Sequence, residues 1–256
     1  SARFNPLYYD PGVTYEPPAG ASTTPTRVDA ALRNGFNATR GTVNLLTEYR
    51  PTLKYDPAET TQTFAEHYAS DVPGVAPAAD APGQAYYYEK TSSECSDTDD
   101  KCYQLVLVST LSDAAKQNFA NWYSYYRTRN LAMVTAAWRA FSDASLTGTG
   151  VRIAWQGTNN SCTSFSTVNT STCAGLDASG NAVASNLTWN FLRPFDASQE
   201  TNFRAWLRSL PATGGNAALR TAMARAGDYY RGSSTTGNNP YLENPQAALN
   251  ASTNRE

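Results

Sequence analysis

Residues 112–141, SDAAKQNFANWYSYYRTRNLAMVTAAWRAF, constrain the fold more than any other stretch of the chain. They contain neither Pro nor Gly, and their large apolar residues fall at Phe119, Trp122, Tyr123, Tyr126, Met133, Val134, Ala137, Trp138 and Phe141. Steps of three and four put these side chains in one stripe along a helix. Ser112 is placed to cap the start, and Asp113 suits the first turn. One unbroken helix would run roughly 43 Å at about 1.5 Å per residue. A wide aromatic ridge of that length needs a broad surface to lie on, and a sheet is the expected one. Arg127, Arg129 and the polar residues between the aromatics exclude a membrane span.

The rest of the composition narrows the setting. Charged residues make up only 16% of 256 residues, while Tyr alone contributes 16. Such a surface bonds through neutral groups, as in many secreted bacterial proteins. The net charge of −2 argues against nucleic acid as a partner. Cys95/Cys102 and Cys162/Cys173 form two close pairs, each flanking a short polar loop. Neither spacing matches common zinc sites, and the one histidine, His67, is distant in sequence. Two local disulfides in an oxidising compartment are expected, although four cysteines allow three pairings. Between the first pair, Asp97, Asp99 and Asp100 are a weak acidic candidate for a cation loop. The Gly and terminal Glu of an EF-hand loop are missing, which favours a solvated tip. No apolar run has transmembrane length. The chain opens on Ser1-Ala2-Arg3-Phe4 without a leader-like stretch, and the expectation is a processed or excised piece of something longer.

Three regions are expected. Residues 1–111 form an extended Pro/Tyr-rich arm and insertion with a β-ribbon. Residues 112–231 form an α/β core, and residues 232–256 a polar tail. In the first region X-Pro steps hold the chain extended, and the aromatics between them suit docking on a neighbouring surface. Residues 28–36 read as a helical turn or two, residues 42–46 as a short strand and residues 60–69 as a short helix. Residues 85–89 and 103–108 read as the two strands of an antiparallel ribbon. Beyond the ridge, residues 151–155 and 187–192 read as strands. Asp196 with Gln199 signals a helix start, and that helix turns Phe203, Trp206, Leu207 and Leu210 to one side. A last helix from about residue 217 to 230 is expected to bury Leu219, Met223, Ala226 and Tyr230. Helices around strands suit an α/β layer structure, but two or three strands are too few to complete one.

Three segments carry a resemblance. Phe4-Asn5-Pro6-Leu7-Tyr8-Tyr9-Asp10-Pro11, the run Asn118-Phe119-Ala120-Asn121-Trp122-Tyr123-Ser124-Tyr125-Tyr126-Arg127-Thr128-Arg129, and residues 203–230 ending in Ala226-Gly227-Asp228-Tyr229-Tyr230 resemble, in that order, type IV pilus tip adhesins of the PilC/PilY family. The resemblance covers residues 1–20 and 112–231. It implies an incomplete von Willebrand factor A-like, Rossmann-type sheet flanked by helices, with residues 21–111 as a long irregular insertion. The family's adhesion site takes magnesium or calcium on an Asp-x-Ser-x-Ser motif, a Thr and a further Asp. This chain departs from it at all three. The first strand would precede Phe4, Ala217-Ala218-Leu219 stands near the Thr position, and the last strand would follow Glu256. Asp143-x-Ser145-x-Thr147 has the right spacing but follows a helix, which reads as a helix-end turn. The expectation is therefore no metal or other cofactor in this chain.

The resemblance also implies a function. A non-enzymatic adhesion module of a pilus tip protein would contact minor pilins or other tip components and a host or abiotic surface. It would work outside the cell or at the pilus tip, after export through the periplasm, supporting attachment and pilus biogenesis. The Pro/Tyr arm suits such contact by stacking and hydrogen bonding, but such segments more often bury their aromatics as an intramolecular strap. The alternative is a secreted filament or coat subunit that uses the same fold for assembly. An enzyme is not expected. There is no Gly-x-Ser-x-Gly, His67 stands alone between Glu66 and Tyr68 and reads as a surface or half-buried histidine, and Glu59 and Glu66 read as a solvated face.

Overall fold

The computed structural model describes residues 5, 7–49, 83–96, 102–143, 146–147, 150–157, 177–179, 192–210 and 219–231. Within them lie short strands β1 (Ala31–Leu32) and β2 (Thr42–Val43), then β3 (Tyr86–Lys90) and β4 (Tyr103–Leu107). Helices α1 (Asp113–Tyr125) and α2 (Arg129–Ala140) follow, then β5 (Arg152–Ile153), β6 (Arg193–Pro194), α3 (Ala197–Ser209) and α4 (Leu219–Tyr230). The fold is mixed α/β. Among the described residues every ladder is a two-stranded antiparallel pair: β1 with β2, β3 with β4, β5 with β6. The chain divides into two compact units, residues 1–135 and 136–256, with the boundary inside α2.

The long ridge is two helices rather than one, which corrects the sequence expectation. Ser112 caps α1 as anticipated, its Oγ accepting from the Ala115 amide at 3.3 Å. The helix ends because tertiary contacts consume its last carbonyls. The Gly35 amide donates to Ser124 O at 2.9 Å, and Thr135 Oγ1 donates to Tyr125 O at 2.7 Å. Arg127 donates to Tyr123 O and, at 2.7 Å, to Arg33 O. Tyr126 leaves the helix with φ −131°, and Thr128 Oγ1 accepts from the Leu131 amide at 3.2 Å to start α2. Helix ends need such partners for their orphan groups. Met133, expected on the ridge, is exposed, whereas Leu131, Val134 and Trp138 are buried.

The surface under α1 is supplied by other parts of the first unit. Phe119, Ala120, Trp122 and Tyr123 form one core with Tyr9, Tyr15, Ala31, Val43, Leu45, Ala85 and Val108, against which Tyr49 and Tyr87 pack. The β3–β4 ribbon is antiparallel as expected, with Tyr87 opposite Val106 and Tyr88 opposite Leu105. Side chains alternate across a strand, so Tyr87 joins the core while Tyr88 is exposed. Residues 28–36 hold β1 and bends rather than a helical turn. Leu45 N–H donates to Val28 O at 2.8 Å, and Ala85 N–H to Leu45 O at 2.7 Å, so backbone bonds fix this segment instead.

Gly35 is the tightest joint. A Cβ there would lie 2.2 Å from Tyr125 Cε1 and 2.4 Å from Cδ1. The Tyr125 ring cannot retreat, being 2% exposed and edge-on to Phe36 at 5.3 Å. Gly35→Ala is therefore expected to cost about 1–3 kcal/mol by overpacking. A chemical-denaturation midpoint indistinguishable from that of the unmodified chain would contradict this.

In the second unit, Asp196 Oδ1 accepts from the Gln199 amide at 2.8 Å and opens α3 as expected. Phe203 and Leu207 are buried, with Trp206 and Leu210 half-buried beside them. Phe203 meets Phe141 at 4.8 Å and Trp155 at 5.1 Å between ring centroids. Residues 151–155 form a shorter strand than expected, with Val151 exposed and Trp155 buried. The expected strand at 187–192 lies outside the described residues except for Leu192. The last helix is placed correctly but faces the other way. Leu219, Met223 and Tyr230 are 60%, 69% and 51% exposed, while Ala222 and Tyr229 are buried. Tyr229 reverses the expectation because its hydroxyl accepts from the Leu192 amide at 2.9 Å and its ring packs with Ala154 and Leu192.

Candidate binding sites

One side of α1 carries a row of hydrogen-bonding groups beside the aromatic ridge. Asn118, Asn121, Trp122 and Tyr126 are spaced three, four and eight apart, hence on one helix face. They grip residues 7–16 by the main chain. Trp122 Nε1 donates to Leu7 O at 2.9 Å. Asn118 Nδ2 donates to Val13 O at 2.8 Å, and its Oδ1 accepts from the Tyr15 amide at 2.7 Å. Asn121 Nδ2 donates to Tyr15 O, and the Tyr126 hydroxyl to Glu16 O, both at 2.8 Å. Further along, Gln117 Nε2 donates to Thr26 O at 2.9 Å, and the Thr26 and Ser124 hydroxyls lie 2.7 Å apart. Of the two readings of the arm, the strap is the one seen. Its side-chain anchors are Tyr9 and Tyr15. Tyr9 sits edge-on to Phe119 at 4.8 Å and Trp122 at 5.6 Å, and Tyr15 edge-on to Tyr126 at 5.1 Å. The sequence shows the rings and the prolines. It also shows amides at Asn118 and Asn121 beside the ridge, the signal that could have marked this face as polar on purpose.

Burial sets the tyrosines' acidity. It pushes Tyr87 and Tyr125 up to about 12, and Tyr229 to about 12 in the second unit, from the ordinary 10. Tyr49, Tyr9 and Tyr15 also rise, again chiefly through burial. A raised folded value makes the unfolded chain release protons first as pH climbs. The contribution is thus whole below pH 10 and is lost between about 10 and 12. Expected is alkaline unfolding in that window, with a fraction of the tyrosinate absorbance developing only as the fold is lost. A single titration near 10 with the fold intact would contradict it.

The ribbon end is closed by a Cys95–Cys102 disulfide, one of the two expected pairs. Asp97, Asp99 and Asp100 lie outside the described residues, as do Cys162, Cys173, His67, Glu59 and Glu66. In the Asp143/Ser145/Thr147 spacing, Leu146 N–H donates to Asp143 O at 3.0 Å, and Thr147 Oγ1 lies 3.5 Å from Glu200 Oε2. That is a turn after α2, and Ser145 lies outside the described residues. Among the described residues no three His, Cys, Asp or Glu side chains gather where they would hold a metal ion. The residues present there do not fit the implied magnesium or calcium site.

In the second unit the exposed stripe of α4 borders an open cleft of about 210 Å³ lined by Ala154, Trp155, Gln156, Ala226, Tyr229 and Tyr230. Gln156 Nε2 is engaged with Ala222 O at 2.8 Å. Among the described residues no helix is long and apolar enough to cross a membrane.

The first unit thus carries a gripped aromatic arm and a disulfide-closed ribbon, and the second an exposed apolar helix face. Type IV pilus biogenesis factor PilY1 of Pseudomonas aeruginosa strain PAK is 36% identical over 96% of this chain, and that of strain PAO1 35% over 96%. PilY1 of strain UCBPP-PA14 is 29% identical over 92% of the chain. The chain spans about a fifth of the length of these relatives, 19% in the first two. No family model matches the chain, and no solved structure gives a significant match.

Proposed function

We propose that this chain is a non-enzymatic adhesion and binding module within a longer type IV pilus biogenesis protein, working outside the cell at the pilus tip. The observation that carries the reading is 36% identity across 96% of the chain to a segment of PilY1, a protein named for pilus biogenesis. Its partners would be minor pilins or other tip components on one side and a host or abiotic surface on the other. The Tyr-rich surface, with Tyr8 and Tyr88 exposed, suits contact by stacking and neutral hydrogen bonds. The fold reading is a von Willebrand factor A-like α/β layer of which this chain holds the helices. The exposed stripe Leu219, Met223 and Tyr230 supports it, because an amphipathic helix face needs an apolar surface to cover it. Any magnesium or calcium ligands would then come from segments beyond this chain.

An in-frame deletion of residues 112–231 from the full gene in its own bacterium tests the proposal. Surface pili and surface attachment are scored separately. Loss of attachment, with fewer pili, is expected. Unchanged piliation and attachment with the shortened protein exported would refute it. The fold reading is tested by thiol labelling at Met223→Cys, which should be rapid in this chain and slow in the full-length protein. Equal rates would refute the layer.

A further inference from the structure

Residues 33–41 connect β1 to β2, and the tip of this loop is seated on α1. The loop closes at its own base, where the Arg33 amide donates to Gly41 O at 3.0 Å beside the β1–β2 pair. The tip is also shaped by local bonds. Asn34 Oδ1 accepts from the Phe36 amide at 2.9 Å, an Asx turn, and Asn34 O accepts from the Asn37 amide at 3.0 Å. Other bonds make the seat. The Gly35 amide donates to Ser124 O at 2.9 Å, the Phe36 ring meets Tyr125 edge-on, and Arg127 donates to Arg33 O. The tip can therefore lift from α1 without breaking the ladder behind it, a smaller opening than unfolding of the whole unit.

Asn34-Gly35 is the one Asn-Gly pair in the chain. Asparagine is chemically labile, and most so before glycine, which puts no side chain in the way of its own nitrogen. The Gly35 nitrogen, once solvent base has taken its proton, attacks Asn34 Cγ. The new C–N bond closes a succinimide ring, and the side-chain nitrogen leaves as ammonia after taking a proton from water. Water then opens the ring at either carbonyl, giving Asp or isoAsp. Seated, the pair is shielded from every part of this sequence. Ser124 O holds the proton that has to leave, and Asn34 and Gly35 are both buried from the water that has to take it. The seat also demands the labile pairing, because a Cβ at position 35 would lie 2.2 Å from Tyr125 Cε1.

We propose that Asn34-Gly35 is a self-modification site guarded by α1: lifting of the tip exposes the pair, and deamidation then makes the opening permanent. IsoAsp lengthens the main chain by a carbon where even a Cβ has no room. Either product carries a carboxylate, and Asn34 is only 8% exposed in the seat, so reseating would bury a charge. The local bonds of the Asx turn do not involve α1, so the lifted tip keeps the asparagine folded back over the chain that follows it.

The full chain is aged at mildly alkaline pH in three states: folded, in denaturant below the unfolding transition, and unfolded. Deamidation at Asn34 is followed by peptide mass mapping, and isoAsp by enzymatic methylation. The folded chain should react at least ~100-fold more slowly than the unfolded one, and the rate should climb with denaturant before the unit unfolds, because reaction follows the open population. Reacted and unreacted fractions of the intermediate sample, separated by the added negative charge, are then compared in buffer by hydrogen exchange. The Gly35 amide should be protected in the unreacted fraction and unprotected in the reacted one. Equal rates in the folded and unfolded chain would overturn the proposal. So would a rate that rises only with global unfolding, since the tip would not lift by itself. A reacted fraction with its Gly35 amide protected as before would overturn it as well.

Discussion

Replacing Phe119 with alanine is expected to destabilise the first unit by about 3–5 kcal/mol. Phe119 is fully buried on α1 where three separate parts of the chain converge. Its ring meets Tyr9 of the arm at 4.8 Å, Tyr87 of the ribbon at 6.4 Å, Tyr49 at 6.2 Å and Trp122 at 5.0 Å. Alanine would leave a void walled by four rings, each fixed by other contacts and so poorly able to collapse into it. Each aromatic pair adds about 0.5–1.5 kcal/mol beyond area burial, so the upper part of the range is the more apt. Whole domains are stable by only about 5–15 kcal/mol, so the variant would be marginal. Chemical denaturation followed by near-ultraviolet circular dichroism, which reports on packed tyrosines, measures the effect. A loss below 1 kcal/mol would mean that the rings do not form one core.

Replacing Trp138 with alanine is expected to cost about 3–5 kcal/mol in the second unit. Trp138 is 1% exposed, and two guanidinium groups lie over its ring, Arg208 at 4.6 Å and Arg204 at 5.2 Å. Burial lowers Arg208 to about 10, with Arg204 adding repulsion, so the indole face is part of what makes two neighbouring cations tolerable there. Removing it leaves a cavity next to charge. Trp138→Phe, which restores a ring, should recover more than half of the loss. Met223→Ala on the exposed face of α4 should stay within about 0.5 kcal/mol of the unmodified chain. If Trp138→Ala and Met223→Ala proved equally mild, the packing of this unit would be wrong.

Local signals in the sequence were reliable where local physics decides. Ser112 and Asp196 cap helices as their side chains allow, and residues 85–89 and 103–108 pair as the antiparallel ribbon their composition suggests. Long-range choices were not legible. The ridge contains no Pro or Gly, so nothing local announces that it divides at residues 126–128. The break is made by the Gly35 amide and the Thr135 hydroxyl, which take the carbonyls of Ser124 and Tyr125, while the Arg33 carbonyl accepts from Arg127 just beyond α1. The buried face of α4 is hidden from the sequence for a related reason. Periodicity marks the stripe of Leu219, Met223 and Tyr230, but it cannot say that the half-buried hydrogen bond of Tyr229 turns the helix the other way. The gripping face of α1 was half visible. Its aromatics are plain in the sequence, while nothing local tells that Asn118 and Asn121 donate to the arm's carbonyls.

The central claim is that α1 organises the first unit by holding the arm against its ridge. Hydrogen exchange at the Tyr15 amide tests it most directly, because that proton is bonded to the Asn118 side chain. The Tyr15 amide should exchange at least ~100-fold more slowly than in an unstructured chain. In Asn118→Ala that protection should vanish while the Phe119 amide inside α1 keeps its own. Exchange of the Tyr15 amide at the unstructured rate in the unmodified chain, with α1 still protected, would show that the arm is not held there and would contradict the claim.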